Sequence, residues 1–199
     1  MKNSRSHLPS IFSLTDMAHS IISQCELGSQ IVIDATCGHG HDTAFLAMNV
    51  GDDGHVFAFD IQVEACASTL SYLQTLGLEN RVTIIHDSHS RMTHTIPSEY
   101  HGNIAVIMFN LGYLPTSEKS IVTQPLLTQS AMIQSLELLK IGGIISLAVY
   151  TEHLGGVEEL SAVNSVLSEL SPREFRIAHL NYPFRKKKAP ELYIIYKER

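Results

Sequence analysis

The sequence has no tryptophan, and charged residues make up only 17% of its 199 positions and aromatic residues 7%. Hydrophobic residues reach 44%. That balance excludes a disordered or collagen-like chain and leaves enough apolar side chains for a core. The length predicts one domain over residues 1–199. No apolar run approaches the ~18–20 residues that span a bilayer, so no membrane helix is expected. The opening MKNSRSHLPSIFS has neither the apolar stretch nor the small-residue cleavage site of a secretory signal. Cysteine is scarce. Cys25, Cys37 and Cys66 are odd in number, far apart and without a CxxC pair, which excludes a disulfide framework or a zinc site. They predict free thiols in a reducing compartment, hence a cytoplasmic protein. Nor do His39, His41, His86, His89 and His94 form an H-E-x-x-H or comparable ligand set, so no metal is expected.

The net charge of −6 argues at first against a polyanionic partner, but the charge is unevenly spread. From Pro172 onward the balance is +5, and the first 171 residues carry −11. Nucleic-acid binding needs a local patch, not a basic average. The run Arg185-Lys186-Lys187-Lys188 supplies one.

Leu14, Met17, Ala18, Ile21, Ile22 and Cys25 recur at helical spacing and predict an amphipathic helix over 14–26, capped by Ser13 and stopped at Gly28. Short β-branched runs at 30–36, 56–61, 81–87, 103–110 and 143–150 read as strands. Helical patterns at 41–50, from Val63 to Gly77, at 123–140 and around 154–170 separate most of them. Continuous apolar strands alternating with helices predict a doubly wound α/β domain with a parallel sheet. The last two runs, 174–184 and 191–199, have only a basic turn between them and predict an antiparallel strand added at the edge. Exposed edge pairing of such hairpins offers a route to a homodimer.

In such sheets ligands bind beyond the carboxyl ends of the strands. The first strand ends in Asp34-Ala35-Thr36-Cys37-Gly38-His39-Gly40-His41-Asp42-Thr43. Gly38 and Gly40 permit a tight turn into a helix N-terminus. The dinucleotide fingerprint would need glycine where Thr43 stands. An acid at Asp34 repels a pyrophosphate and suits a cationic group, such as the amine of S-adenosylmethionine. The second strand ends in Asp60-Ile61-Gln62, where a carboxylate can accept both ribose hydroxyls. The third ends in Asp87-Ser88-His89, a place to grip an adenine edge. The fourth ends in Asn110-Leu111-Gly112-Tyr113-Leu114-Pro115, partly like the Asn-Pro-Pro-Tyr element of methyltransferases acting on nitrogen. There the amide oxygen accepts from a target amine, and Tyr113 can stack on a base.

DATCGHGHDTAFLA, FDIQ, HDSH, FNLGYLP followed by EKSIVT, and LLKIGGIISLAVYTEHLGGVEE cover nearly the whole chain. Together they resemble the class I methyltransferases catalogued as rRNA methylases and understood as bacterial tRNA wobble-uridine methyltransferases. The resemblance implies a Rossmann-like fold with a seven-stranded, mostly parallel sheet, an antiparallel edge strand and helices on both faces. It also implies S-adenosyl-L-methionine as cofactor, and methylation of the 5-aminomethyl group of (2-thio)uridine in the tRNA anticodon. By motif, Asp34, Thr36, Gly38, His39, Gly40, Asp42 and Thr43 would form the methionine-side loop. Asp60 and Gln62 would hold the ribose, and Ser88 and His89 the adenine. Asn110 and Tyr113 would line the methyl-transfer site, Asn110 also contacting the cofactor, with Tyr150 and His153 nearby. His39 stands where the family has asparagine, and Thr151-Glu152 where a small residue is common.

A transferred methyl needs an amine that has shed its proton, so a base or acceptor network helps. His153 and Asn110 are the candidates, the latter as acceptor only. Arg185, Lys186, Lys187 and Lys188 are the expected phosphate contacts. Methylation of rRNA or of a small molecule with the same cofactor half, and a non-enzymatic nucleotide-binding module, stay open at this stage.

Overall fold

Each buried strand in an α/β sheet needs cover on both faces, and the helices of this chain supply it. The protein is described from a computed structural model that covers residues 13–112, 123–152, 155–184 and 190–199. The strands are β1 (Ile31–Asp34), β2 (His55–Asp60), β3 (Val82–His86), β4 (Ile104–Leu111), β5 (Leu139–Val149), β6 (Phe175–Leu180) and β7 (Glu191–Lys197). The helices are α1 (Leu14–Ile22), α2 (His41–Val50), α3 (Val63–Leu76), a single turn α4 (Met92–Thr95), α5 (Pro125–Leu138) and α6 (Gly156–Ser168). All seven strands join one sheet in the order β3-β2-β1-β4-β5-β7-β6. Strands β3 to β5 run parallel, and β7 is antiparallel to both its neighbours.

Strand residues alternate between two cores, as a period of two requires. Ile33, Phe57, Phe59, Ile107, Phe109 and Leu147 face one core with Met92, Ala131, Met132, Leu138, Val163 and Leu167 of α4, α5 and α6. Val32, Val56, Val106, Met108, Ala148 and Ile194 face the other with Leu14, Ala18, Ile22, Leu46, Val50 and Leu73 of α1, α2 and α3. The doubly wound expectation therefore holds strand by strand. Among the described residues, no helix is long and apolar enough to cross a membrane.

Three details differ from the expectation. The antiparallel strand is present, but β7 lies one place in from the edge and β6 takes the outer position. Helix α1 ends at Ile22, before residue 26, where the Gln24 and Cys25 N–H groups turn to the carbonyls three residues back, on Ile21 and Ile22. Helix α5 ends at Leu138, and β5 starts at once, taking Gly142 and Gly143 into the strand. The Lys197 ammonium donates to the Leu136 and Leu139 carbonyls at 2.8 Å each, closing the end of α5 from β7.

Candidate active site

The order of the sheet reverses at β1, which has β2 on one side and β4 on the other. Beyond the carboxyl ends of these strands lies a cavity of about 470 Å³, within the range of small-molecule sites.

The loop after β1 is shaped by carboxylates. Asp34 is fully buried; its Oδ1 accepts from the Thr36 N–H at 3.1 Å and its Oδ2 from the Thr43 hydroxyl at 2.6 Å. Burial, with the negative charge of Asp42 beside it, pushes the Asp34 carboxyl up to about 7. Gly40 sits in the left-handed region at φ +85°, and a Cβ there would stand 3.1 Å from the Thr69 Cα. Thr69 donates its hydroxyl to the Gly38 carbonyl at 3.1 Å, and the Gly38 N–H donates to Asp60 Oδ2 at 3.0 Å. Helix α3 and the end of β2 thus hold the loop from behind. Cys37, within the loop, contacts the Cys66 thiol, which together with burial raises the Cys37 pKa.

Asp60 also accepts from the Gln62 N–H at 3.0 Å, through Oδ1. After β3, Ser88 caps the next turn by accepting from the Ser90 N–H at 3.2 Å, while Asp87 accepts from the Ser88 N–H at 2.8 Å and pairs with Arg91 at 3.0 Å. His89 is only 8% exposed and sits edge-on to Phe109. Its buried Nε2 has no hydrogen-bond partner among the described residues. Desolvation lowers its pKa to about 4, with the Ala35 carbonyl opposing the shift.

Asn110, near the end of β4, is held at two points. Its backbone N–H donates to Thr36 Oγ1 at 2.7 Å, and its side-chain Nδ2 donates to Asp42 Oδ2 at 2.5 Å. The other oxygen of Asp42 accepts from His19 Nε2 of α1 at 2.7 Å. Gly112 follows, and its carbonyl accepts from the Thr123 N–H at 3.1 Å. Thr123 and Thr128 donate their hydroxyls to the buried Glu159 of α6 at 2.6 and 2.5 Å.

Of the residues singled out from sequence, Thr36, Gly38, His39, Asp42, Asp60, Gln62, Ser88, His89 and Asn110 line the cavity, as does Tyr150. Asp34, Gly40 and Thr43 stand behind that lining and shape it. Tyr113, His153 and Arg185, Lys186, Lys187 and Lys188 lie outside the described residues. The five histidines considered for a metal do not converge: His39 faces Ser68, His86 the Ile61 carbonyl, and His41 the Tyr72 ring. Sequence reasoning missed Thr15 and His19 of α1. Their separation by one helical turn on an amphipathic helix was the available signal.

A seven-stranded sheet of this order, with acids after β1 and β2 and an amide at the end of β4, defines a Rossmann-like methyltransferase of class I. The chain belongs to the family described as "Putative rRNA methylase", whose model matches residues 56–196. It is similar to the Arabidopsis thaliana protein "tRNA (mnm(5)s(2)U34)-methyltransferase, chloroplastic", with 39% identity over 194 residues, covering 92% of this chain and 69% of that one. It is also similar to a solved "putative rRNA-methylase" from Clostridium thermocellum, at 38% identity and a TM-score of 0.87, covering 92% of this chain and 96% of the other. A putative methyltransferase from Streptococcus mutans, solved in complex with SAH, shares 33% identity at a TM-score of 0.82, covering 92% and 97%.

Proposed function

We propose that this chain is an S-adenosylmethionine-dependent N-methyltransferase that converts the 5-aminomethyl group of wobble (2-thio)uridine in tRNA to methylaminomethyl. The observation that carries the reading is the orientation of Asn110. Asp42 is an acceptor only, so the bond at 2.5 Å identifies the amide nitrogen. The amide oxygen, which accepts no hydrogen bond from the described residues, is left at the cavity. A carbonyl acceptor there suits a substrate N–H and would orient the nitrogen lone pair.

The cavity also fits the cofactor. Acids at its floor favour a cationic ligand over a phosphate, and the orphaned His89 Nε2 is a buried polar atom in want of a partner. When bound, S-adenosylmethionine supplies an electrophilic methyl group on a sulfonium. In this reading Asp60 and Gln62 take the ribose, and Ser88 and His89 the adenine. Thr36, Gly38, His39 and Asp42 take the methionine end. Asp34, Gly40 and Thr43 hold the loop in shape. Tyr113 stacks on the base, and His153 receives the proton that the amine gives up. Arg185, Lys186, Lys187 and Lys188 meet phosphates near the anticodon. The relative from Arabidopsis thaliana supports tRNA as substrate, and the three free thiols support the cytoplasm.

Nucleoside mass spectrometry on tRNA from cells lacking this gene tests the reading. The expected result is accumulated aminomethyl-(2-thio)uridine and loss of the methylaminomethyl form. An unchanged tRNA profile with a methyl group missing from rRNA, or from neither RNA, overturns it.

A further inference from the structure

His19 does not line the cavity, yet it belongs to a connected set that ends at the amide of Asn110. We infer that His19 is a positioning residue for methyl transfer, acting through Asp42 on the orientation of the Asn110 amide. This rests on the reading of Asn110 as the acceptor for the substrate amine.

Helix α1 is anchored by Leu14, Ala18 and Ile22 in the core, which fixes where His19 projects. The His19 ring lies flat on Phe45 of α2, with centroids 3.8 Å apart and planes 4° from parallel. That stacking fixes the ring plane, and Nε2 then lies 2.7 Å from Asp42 Oδ1. A carboxylate only accepts, so Nε2 carries the hydrogen and donates. The bond occupies one oxygen of Asp42 and fixes the carboxylate plane, which turns the other oxygen toward Asn110 Nδ2.

Without His19, Asp42 can rotate about its terminal torsion, which is soft. The Asn110 amide would then lose its reason to present nitrogen to Asp42 and oxygen to the cavity. A flipped amide offers the substrate N–H a donor where it needs an acceptor. The Thr36 contact holds only the backbone of Asn110 and does not select between the two amide orientations. His19 therefore affects the reacting nitrogen at two removes, while the ribose- and adenine-side groups at Asp60, Ser88 and His89 stay in place and Asp42 keeps its carboxylate at the methionine end of the cavity.

The test compares His19→Phe, which keeps the stack on Phe45 without a donor, with His19→Gln. Glutamine carries an amide nitrogen the same number of bonds from Cα as Nε2. Full-length protein is assayed for methyl transfer to undermodified tRNA, for binding of S-adenosylhomocysteine by calorimetry, and by NMR of the Asn110 side-chain amide, assigned by its loss in Asn110→Ala. His19→Phe is expected to lower kcat about tenfold, leave KM for tRNA and the S-adenosylhomocysteine Kd within about twofold, and shift the amide resonances. His19→Gln is expected to restore most of kcat. In an Asp42→Ala background, His19→Phe is expected to add no further loss.

Full kcat in His19→Phe with unmoved amide resonances overturns the proposal. So does an undiminished effect in the Asp42→Ala background, or a loss of S-adenosylhomocysteine affinity in step with kcat. If the wild-type protein methylates no tRNA, the functional reading falls by itself. The response of the Asn110 amide to His19→Phe then still decides whether the positioning link exists.

Discussion

At the scale of single residues, two buried titratable groups pull stability in opposite directions with pH. His89 has its pKa lowered from 6.5 to about 4, so between these values the unfolded chain binds more protons. Its contribution is complete above pH 6.5 and is lost as pH falls toward 4, by about 3 kcal/mol. Asp34, raised from 3.8 to about 7, has the reverse sign: the folded state holds the extra proton, and stability declines as pH rises through that window. The two partly cancel in the native protein. Urea midpoints from pH 4 to pH 7 are expected to fall more steeply with rising pH in His89→Asn, and to rise in Asp34→Asn. Parallel profiles for both variants and wild type would contradict this. For catalysis, Asn110→Ala is expected to cut kcat about a hundredfold with little change in S-adenosylhomocysteine affinity. Asp60→Ala is expected to weaken that affinity by about ten- to a hundredfold, since Asp60 also holds the Gly38 N–H. Stopped-flow turnover and calorimetry separate the two.

At the scale of elements, Gly40 and Glu159 carry the joints. Gly40→Ala forces a side chain into a left-handed backbone against Thr69, and a loss of about 1–3 kcal/mol in unfolding free energy is expected. A thermal midpoint equal to wild type would show that the loop relaxes freely. Glu159→Ala removes the acceptor that Thr123 and Thr128 share between α5 and α6. Much at this scale was legible because its causes are local. The two ends of the loop from Asp34 to Thr43 are tied by residues within nine positions of each other, and its glycines and acids announce it, although Asp60 and Thr69 brace it from farther along the chain. The end of α5 was not legible: Leu138 and Leu139 are equally apolar and equally buried, so nothing nearby marks the boundary. Lys197, 58 positions further on, helps to close it. The His19–Asp42 contact was hidden for the same reason, since it depends on how α1 docks and not on any pattern around either residue.

At the scale of the molecule, the charge of −6 averages an acidic cofactor half and a basic C-terminal region. Replacing Arg185, Lys186, Lys187 and Lys188 with glutamine is expected to weaken tRNA binding while leaving S-adenosylhomocysteine affinity intact. The log–log dependence of tRNA affinity on salt should flatten by up to about 3. Filter binding across a salt series checks this, and an unchanged slope would remove the run from the RNA contact.

The place of β7 inside the sheet has a consequence during synthesis. Each of β1 to β5 leaves the ribosome with a parallel neighbour already made or soon to follow, but β6 is translated before the one strand it pairs with. Until β7 emerges, β5 presents an open edge and β6 has nowhere to dock. A nascent chain paused in the basic run between them would expose the unpaired N–H and C=O groups along the edge of β5 to other nascent chains on the same message. Its partner there would be the β7 of a neighbour, which is the geometry of a strand-exchanged pair.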